Sequence, residues 1–181
     1  TQLNIENAQI IACFDSDLLS DHPAATLNAK GWAKNRRSVD ENATMNRMYV
    51  VESAMTLTGG AADERLPVQP SRVAHVITAV AQGLGVAQGA AKLEKAEQTF
   101  VLRLVADLKA NHGKSIVTAG PNQPAEVHAL VHASNKALDN LDKTVTYSDE
   151  PIALGSNETN LTQLTTLVKN INEGSINTLI I

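Results

Sequence analysis

Short apolar runs alternate along the chain with longer segments in which apolar residues recur every three or four positions. The runs are rich in Ile, Val or Tyr and are bounded by polar residues or Gly, a pattern that predicts β-strands. The predicted strands are Gln9–Phe14, Arg47–Val51, Ser115–Ala119, Thr144–Tyr147 and Asn177–Ile181. Most of them are continuously apolar rather than alternating, which is typical of strands that are covered on both faces.

The segments with the longer period predict amphipathic helices. They are Ser71–Leu84, Lys92–His112, Pro124–Asn140 and Asn160–Glu173, with a weaker helical stretch at Ala24–Lys34. The spacing places Leu104 on the buried face of its helix. Alternation of strands and helices with short links predicts a parallel sheet between layers of helices. The predicted fold class is therefore α/β, with a mostly parallel sheet of about five strands flanked by helices.

Composition and charge reduce the range of functions that the chain could have. The chain has 181 residues, 43% of them hydrophobic, which suits one domain with a sizeable core. Its net charge is −4. The densest basic cluster, Lys34-Asn35-Arg36-Arg37, is too small for the concentrated basic face that nucleic acids require. No run approaches the length of a membrane span. Because the sequence stops on the apolar run Thr178–Ile181, we expect residues 1–181 to be a single domain excised from a longer chain.

The single cysteine offers no metal or redox chemistry by itself. Cys13 is the only cysteine of the sequence, so it can form neither an internal disulfide nor a Cys-x-x-Cys site. It lies inside the apolar run I-I-A-C-F, which favours a buried, unreactive thiol. We therefore expect neither a catalytic cysteine nor a metal site in this chain.

Met45–Pro70 is the segment that most suggests a site, because its strand passes directly into Glu52-Ser53 and a Gly-rich loop. Open α/β sheets bind ligands outside the carboxyl ends of their strands, and an acidic residue there can bind a ribose hydroxyl. The alternative is that Glu52 bonds loop amides or pairs with Arg65. The prolines at 67 and 70 are predicted to interrupt regular structure before the next helix.

The ends of the other two central strands carry further candidates. Asp15-Ser16-Asp17 places two carboxylates where a dinucleotide fold would have G-x-G-x-x-G, so it either repels phosphate or caps a turn. Gly120–Pro124 shapes a tight entry to a helix whose amides either bind an anion or are satisfied by Asn122 or Gln123. The candidate cofactor-binding residues are Ser16, Glu52, Ser53, Gly120 and Gln123.

Two histidines stand four apart, His128 and His132, and share one helix face as in some zinc sites. The intervening Glu of a metalloprotease is absent, and no third ligand is evident from the sequence. We therefore predict no metal ligands, and no catalytic residue stands out.

Three blocks of sequence resemble a known family. They are Asp15-Ser16-Asp17, Met45–Leu66 with M-N-R-M-Y-V-V-E-S and L-T-G-G-A-A-D-E-R-L, and Gly113–Leu130 with G-K-S-I-V-T-A-G-P-N-Q-P-A-E-V-H-A-L. The tail Leu164–Ile181 adds to the likeness. The chain resembles the molybdopterin-oxidoreductase-like region of the iron–sulfur subunit of alternative complex III, a quinol-oxidising respiratory assembly of bacteria.

The resemblance implies a Rossmann-like domain without a molybdenum cofactor. Iron–sulfur clusters would be bound by cysteines elsewhere in the parent chain. The parent would lie on the periplasmic side of the inner membrane and contact other domains and subunits of a membrane-bound complex, without inserting into the membrane. We expect a non-catalytic scaffold domain within an oxidoreductase complex. The alternative is a pterin- or nucleotide-binding domain of an active molybdopterin oxidoreductase.

Overall fold

The computed structural model describes residues 1–37, 45–148 and 160–180. The chain forms two compact units, Thr1–Tyr147 and Ser148–Ile181. The strands of the first unit are Gln2–Leu3 (β1), Ile10–Phe14 (β2), Arg47–Glu52 (β3), Glu64–Pro67 (β4), Ser115–Ala119 (β5) and Val145–Thr146 (β6). Four of them form a sheet of order β4-β3-β2-β5 in which all neighbours are parallel. The predicted α/β class, with a parallel sheet flanked by helices, is confirmed.

The helices of the first unit cover both faces of this sheet. They are Ala25–Lys34 (α1), Leu57–Ala61 (α2), Pro70–Gly83 (α3), Lys95–Ala110 (α4) and Ala125–Ala137 (α5), and a single 3-10 turn spans Ile5–Asn7. Helix α4 begins later than the sequence pattern predicts, because Glu94 and Glu97 form a reciprocal capping box at its start. Leu104 is fully buried on α4, as its spacing predicts.

The core lies in two clusters, one on each face of the sheet. Alternate residues of β2 point to opposite faces, so Ile10, Ala12 and Phe14 join the cluster that includes α3, α4 and α5. Ile11 and Cys13 join the other cluster, against which Trp32 of α1 packs. This two-sided burial explains why the strand is continuously apolar. Burial also raises the pKa of the Cys13 thiol, which keeps it protonated and unreactive.

The predicted strand Thr144–Tyr147 does not extend the main sheet. Only Val145–Thr146 is a strand, and it pairs antiparallel with β1 in a separate two-stranded sheet. Polar side chains, rather than a further strand, form the hydrogen bonds beside β5. Asn135 accepts a hydrogen bond from the Val117 N–H at 3.1 Å and donates to the Val117 carbonyl at 2.7 Å. Thr144 donates its hydroxyl to the Ser115 carbonyl at 2.5 Å. Buried polar side chains thus satisfy a sheet edge that a fifth strand would otherwise cover.

The segment Met45–Pro70 holds more regular structure than its sequence predicts. The Gly-rich stretch contains the short helix α2, which Thr56 caps by accepting from the Gly59 N–H at 3.0 Å. The Pro-containing stretch forms β4, which lies at the edge of the sheet. Prolines are compatible with edge strands because an edge leaves one row of N–H groups unpaired. β4 ends at Pro67, Val68 and Gln69 have no regular structure, and α3 begins at Pro70, so the interruption predicted before α3 is present, whereas the strand β4 was not predicted.

The second unit contains one helix among its described residues, Asn160–Asn172 (α6). Its apolar side chains Leu161, Leu164, Val168 and Ile171 are 40 to 72% exposed. The predicted final strand, Asn177–Ile181, is not formed: residues 177–180 have no regular structure, and position 181 lies outside the described residues.

Candidate functional site

The parallel sheet brings all five candidate residues to one edge. β2, β3 and β5 point the same way, so the loops that follow Phe14, Glu52 and Ala119 meet at their carboxyl ends. The structure separates the candidates into two groups. Glu52 and Ser53 lie at the end of β3, whereas Ser16, Gly120 and Gln123 follow β2 and β5.

Glu52 is closed off by its own loop. Its side chain is 2% exposed, and it accepts the Thr56 hydroxyl at 2.7 Å and the Arg65 Nε–H at 2.5 Å. A Cβ at Gly59 would come within 1.8 Å of its Oε1 atom, so the backbone of α2 packs directly on the carboxylate. Both expected internal roles, bonding the loop and pairing with Arg65, are present. Ser53, by contrast, is exposed and has no hydrogen bond among the described residues.

The β2 and β5 ends are joined by an equally close contact. A Cβ on Gly120 would lie 1.8 Å from the Asp15 carbonyl oxygen, and only a residue without a side chain fits there. Asp15 has a left-handed backbone with φ 52°, which Asp tolerates better than most residues. Gln123 donates its amide to the Asp15 carboxylate at 3.0 Å. Gly120 and Gln123 therefore act in joining the two loops.

Asp17 connects the loop after β2 to helix α2. Its Oδ1 accepts the Thr58 hydroxyl at 2.5 Å and the Thr58 N–H at 3.2 Å, and the Thr58 oxygen in turn accepts the Leu19 N–H at 2.9 Å. Thr58 is fully buried. Sequence reasoning did not identify Thr58 as a partner, because the two positions are 41 residues apart. The strand-end carboxylates are thus used to hold the loops together.

A cavity of about 270 Å³ remains open beside these contacts, between the loop after β2, the end of β5 and helix α5. Ser16 is the one member of the five candidates, all of which lie in the described part of the chain, that lines it. Asp17 and Asp21 also line it, together with His22, His128 and His132. The two histidines predicted to share a helix face therefore do so, and both face this cavity.

His22 is held in one uncharged form. Its Nδ1 atom lies 3.0 Å from the Ala24 N–H, which can only donate, and 3.2 Å from the Asn28 amide nitrogen. Nδ1 must therefore accept, and the ring proton sits on Nε2. Burial lowers the pKa of His22. A protonated ring would place its own Nδ1–H against two donors. The hydrogen-bond geometry and the lowered pKa therefore both favour the neutral ring.

His132 and Tyr147 form one wall of the cavity as a stacked pair, with ring centroids 4.3 Å apart and 28° between the planes. Burial raises the pKa of the Tyr147 phenol, so the wall stays uncharged at that end. Within residues 1–37, 45–148 and 160–180, no group of three or more His, Cys, Asp or Glu side chains is arranged to hold a metal ion.

Chemically, this edge has acceptors and aromatic surface but little to hold phosphate. The loop after β2 is not a glycine-rich turn of the kind that binds a pyrophosphate: Asp15, Ser16 and Asp17 stand there, and Gly120 packs on the Asp15 carbonyl. Across the described residues, no helix is long and apolar enough to span a bilayer. No protein-family model matches the chain, and a search of curated proteins found no significant match.

Proposed function

We propose that this chain is a non-catalytic scaffold domain that contacts other domains or subunits of a bacterial respiratory electron-transfer assembly. The observation that carries the proposal is the internal use of the strand-end side chains. Glu52 bonds Thr56 and Arg65, and Asp17 bonds Thr58, at the edge where an open α/β sheet would bind a cofactor. These contacts stabilise the fold and place carboxylates where an anionic cofactor would have to lie.

The sequence resemblance is what supports the choice of this assembly. The blocks that resemble the iron–sulfur subunit of alternative complex III include the loops that this unit closes with its own carboxylates. On this proposal the parent chain carries its iron–sulfur clusters elsewhere and lies on the periplasmic side of the inner membrane. The domain then contributes surface and rigidity to the assembly.

Purification of the native protein from detergent-solubilised bacterial membranes tests this proposal. We expect the chain to elute with a multi-subunit assembly whose electron paramagnetic resonance spectrum contains iron–sulfur signals. Recovery of the intact native protein as a monomer from the soluble fraction would contradict it. A chain of the same source that is peripheral to another membrane complex serves as the control for non-specific retention.

A second candidate is a pterin- or nucleotide-binding domain of an active oxidoreductase. The observation that favours it is the cavity of about 270 Å³ at the carboxyl ends of β2 and β5, which Ser16 lines. Asp15 and Asp17 oppose it, because like charges disfavour a phosphate group. A guanine nucleotide or a pterin that prefers the folded state would raise the melting temperature at millimolar concentration. No rise across such a panel would leave the scaffold as the supported function.

A further inference from the structure

The cavity beside β5 gathers polar groups that have no partner within the described part of the protein. The Ser16 side chain is only 8% exposed, it lines the cavity, and its hydroxyl makes no hydrogen bond to any described residue. The second carboxylate oxygen of the half-buried Asp17 and the carboxylate of the exposed Asp21 also make no hydrogen bond to a described residue. The Ser16 Oγ atom is not among the fully enclosed unpaired atoms of the described residues, so it is reached from the cavity, and a hydroxyl without a protein partner there is free to bond a ligand.

The charged side chains around this cavity are acidic, and Thr1, whose N-terminal ammonium is positive, lines it as well. Asp17 and Asp21 line it, and among the residues that the structure describes no Lys or Arg side chain does. His22 does not cancel their charge, because the two donors at its Nδ1 keep the ring neutral. Carboxylates that face a cavity with low-dielectric walls attract cations and repel anions.

The remaining walls are apolar and aromatic. Val117 and Val131 line the cavity from β5 and α5, and both are at least nine-tenths buried. The stacked His132 and Tyr147 rings form the facing wall. An apolar pocket with a few convergent polar groups is the usual form of a small-molecule site, and aromatic walls favour ring-bearing or cationic ligands.

We propose that this cavity binds a compact organic cation, a ring-bearing amine whose ammonium group lies at Asp17, Asp21 and Ser16 and whose ring packs toward His132 and Tyr147. The volume limits the ligand to a single ring with a short arm, smaller than a nucleotide. This site is independent of the scaffold role, because a domain that organises an assembly can also bind a small ligand. The two proposals therefore succeed or fail separately.

Three probes of the same size and different charge test the proposal. Phenethylammonium, phenethyl alcohol and phenylacetate are each titrated into the ¹⁵N-labelled chain at neutral pH, and amide shifts are followed by NMR. Thr1 also lines the cavity. For this titration the protein is prepared with a short neutral N-terminal extension, so that the charged terminal nitrogen of Thr1 becomes an uncharged amide. We expect phenethylammonium to bind with a Kd of about 1 mM or lower, at least about tenfold more tightly than phenylacetate. The perturbed amides should include those of Ser16 and His132.

Matched variants separate the site from general charge effects. Asp21→Asn removes an exposed carboxylate that lines the cavity and should weaken phenethylammonium binding about two- to fivefold. Asp142→Asn removes an exposed carboxylate that does not line it, at a left-handed position that Asn also tolerates, and should leave binding unchanged. Ser16→Ala should weaken binding about two- to tenfold through the lost hydrogen bond.

Several results would overturn the proposal. They are equal affinity for the three probes, shifts confined to residues away from the cavity, and no saturable shift up to about 10 mM amine. An equal effect of Asp21→Asn and Asp142→Asn would mean that the probe responds to net charge alone. Each variant is first compared with the parent by its amide spectrum, so that loss of binding is separated from loss of fold.

Discussion

The ends of β3 and β5 lie at the same edge of one sheet, yet the structure uses them in opposite ways. At β3, Glu52 is buried and each carboxylate oxygen accepts a hydrogen bond from within its own segment. At β5, a cavity is left open, and the Ser16 hydroxyl that faces it has no described partner. The difference shows that position at a strand end does not by itself make a ligand site. What decides is whether neighbouring groups already satisfy the polar side chains that the strands deliver.

The largest expected effect on stability comes from disrupting the ion pair at the end of β3, where Glu52 is buried. Arg65→Met leaves the Glu52 carboxylate buried without its cation, and loss of one partner of a buried ion pair costs about 3 kcal/mol or more in the free energy of unfolding. Arg103→Met is the matched control: its partner is Glu64 at 3.0 Å, and the Arg103 side chain is 61% exposed. That change should cost less than about 1 kcal/mol. Urea unfolding of both variants measures the difference, and equal costs would mean that Glu52 does not depend on Arg65.

The contact between the loops after β2 and β5 gives the next effect. Gly120→Ala forces a Cβ against the Asp15 carbonyl oxygen, and overpacking of this kind costs about 1–3 kcal/mol. Gly60→Ala, on α2, has only the end of Met55 within reach at 3.8 Å. Because Ala favours helix over Gly, the second change should be neutral or stabilising by up to about 1 kcal/mol. Equal melting temperatures for the two variants would show that the close approach is not required.

Thr58 and Ser16 provide a direct comparison of a closed and an open hydroxyl. Thr58→Val removes an oxygen that serves Asp17 and Leu19 inside the protein, and we expect a loss of about 1–3 kcal/mol because buried partners are left unsatisfied. Ser16→Ala removes a hydroxyl without a described partner and should change stability by less than about 0.5 kcal/mol. If Ser16→Ala proves as destabilising as Thr58→Val, the Ser16 hydroxyl has a structural role and is not available to a ligand in the cavity.

The layers of this fold follow from sequence periodicity, whereas the closure of its edges does not. Continuous apolar runs such as Ile10–Phe14 and the period of α4 are local patterns, and they predict strands and helix faces directly. The strand at Glu64–Pro67 could not be read in the same way. It is short, charged and Pro-containing, and it forms because an edge position beside β3 tolerates those residues.

Asn135 is a second feature that the sequence does not predict. In the sequence it is one polar residue near the end of a helix, with nothing to distinguish it from an exposed one. In the structure it is 1% exposed and bonds both backbone groups of Val117, 18 residues away. The expected alternative roles of Glu52 were readable, because Arg65 and the loop amides are near in sequence. The cavity could not be predicted from the sequence, since it is formed by residues from the loop after β2, from β5 and from α5 together.

Acidification gives the smallest expected effect on stability, and it specifically tests the cavity at the end of β5. Burial lowers the pKa of His22 from its ordinary value of 6.5, so the folded protein disfavours the protonated ring. Above pH 6.5 the folded and unfolded states are both neutral at this position, and the stabilising contribution of the neutral ring is complete. As the pH falls below 6.5, the unfolded chain takes up a proton first, and this contribution is lost down to the folded pKa. Unfolding free energies measured between pH 7.5 and about 5 should therefore fall more steeply for the parent than for His22→Gln. An NMR titration of the His22 ring checks the cause separately, because a midpoint at or above 6.5 would mean that Ala24 and Asn28 do not hold Nδ1 as an acceptor.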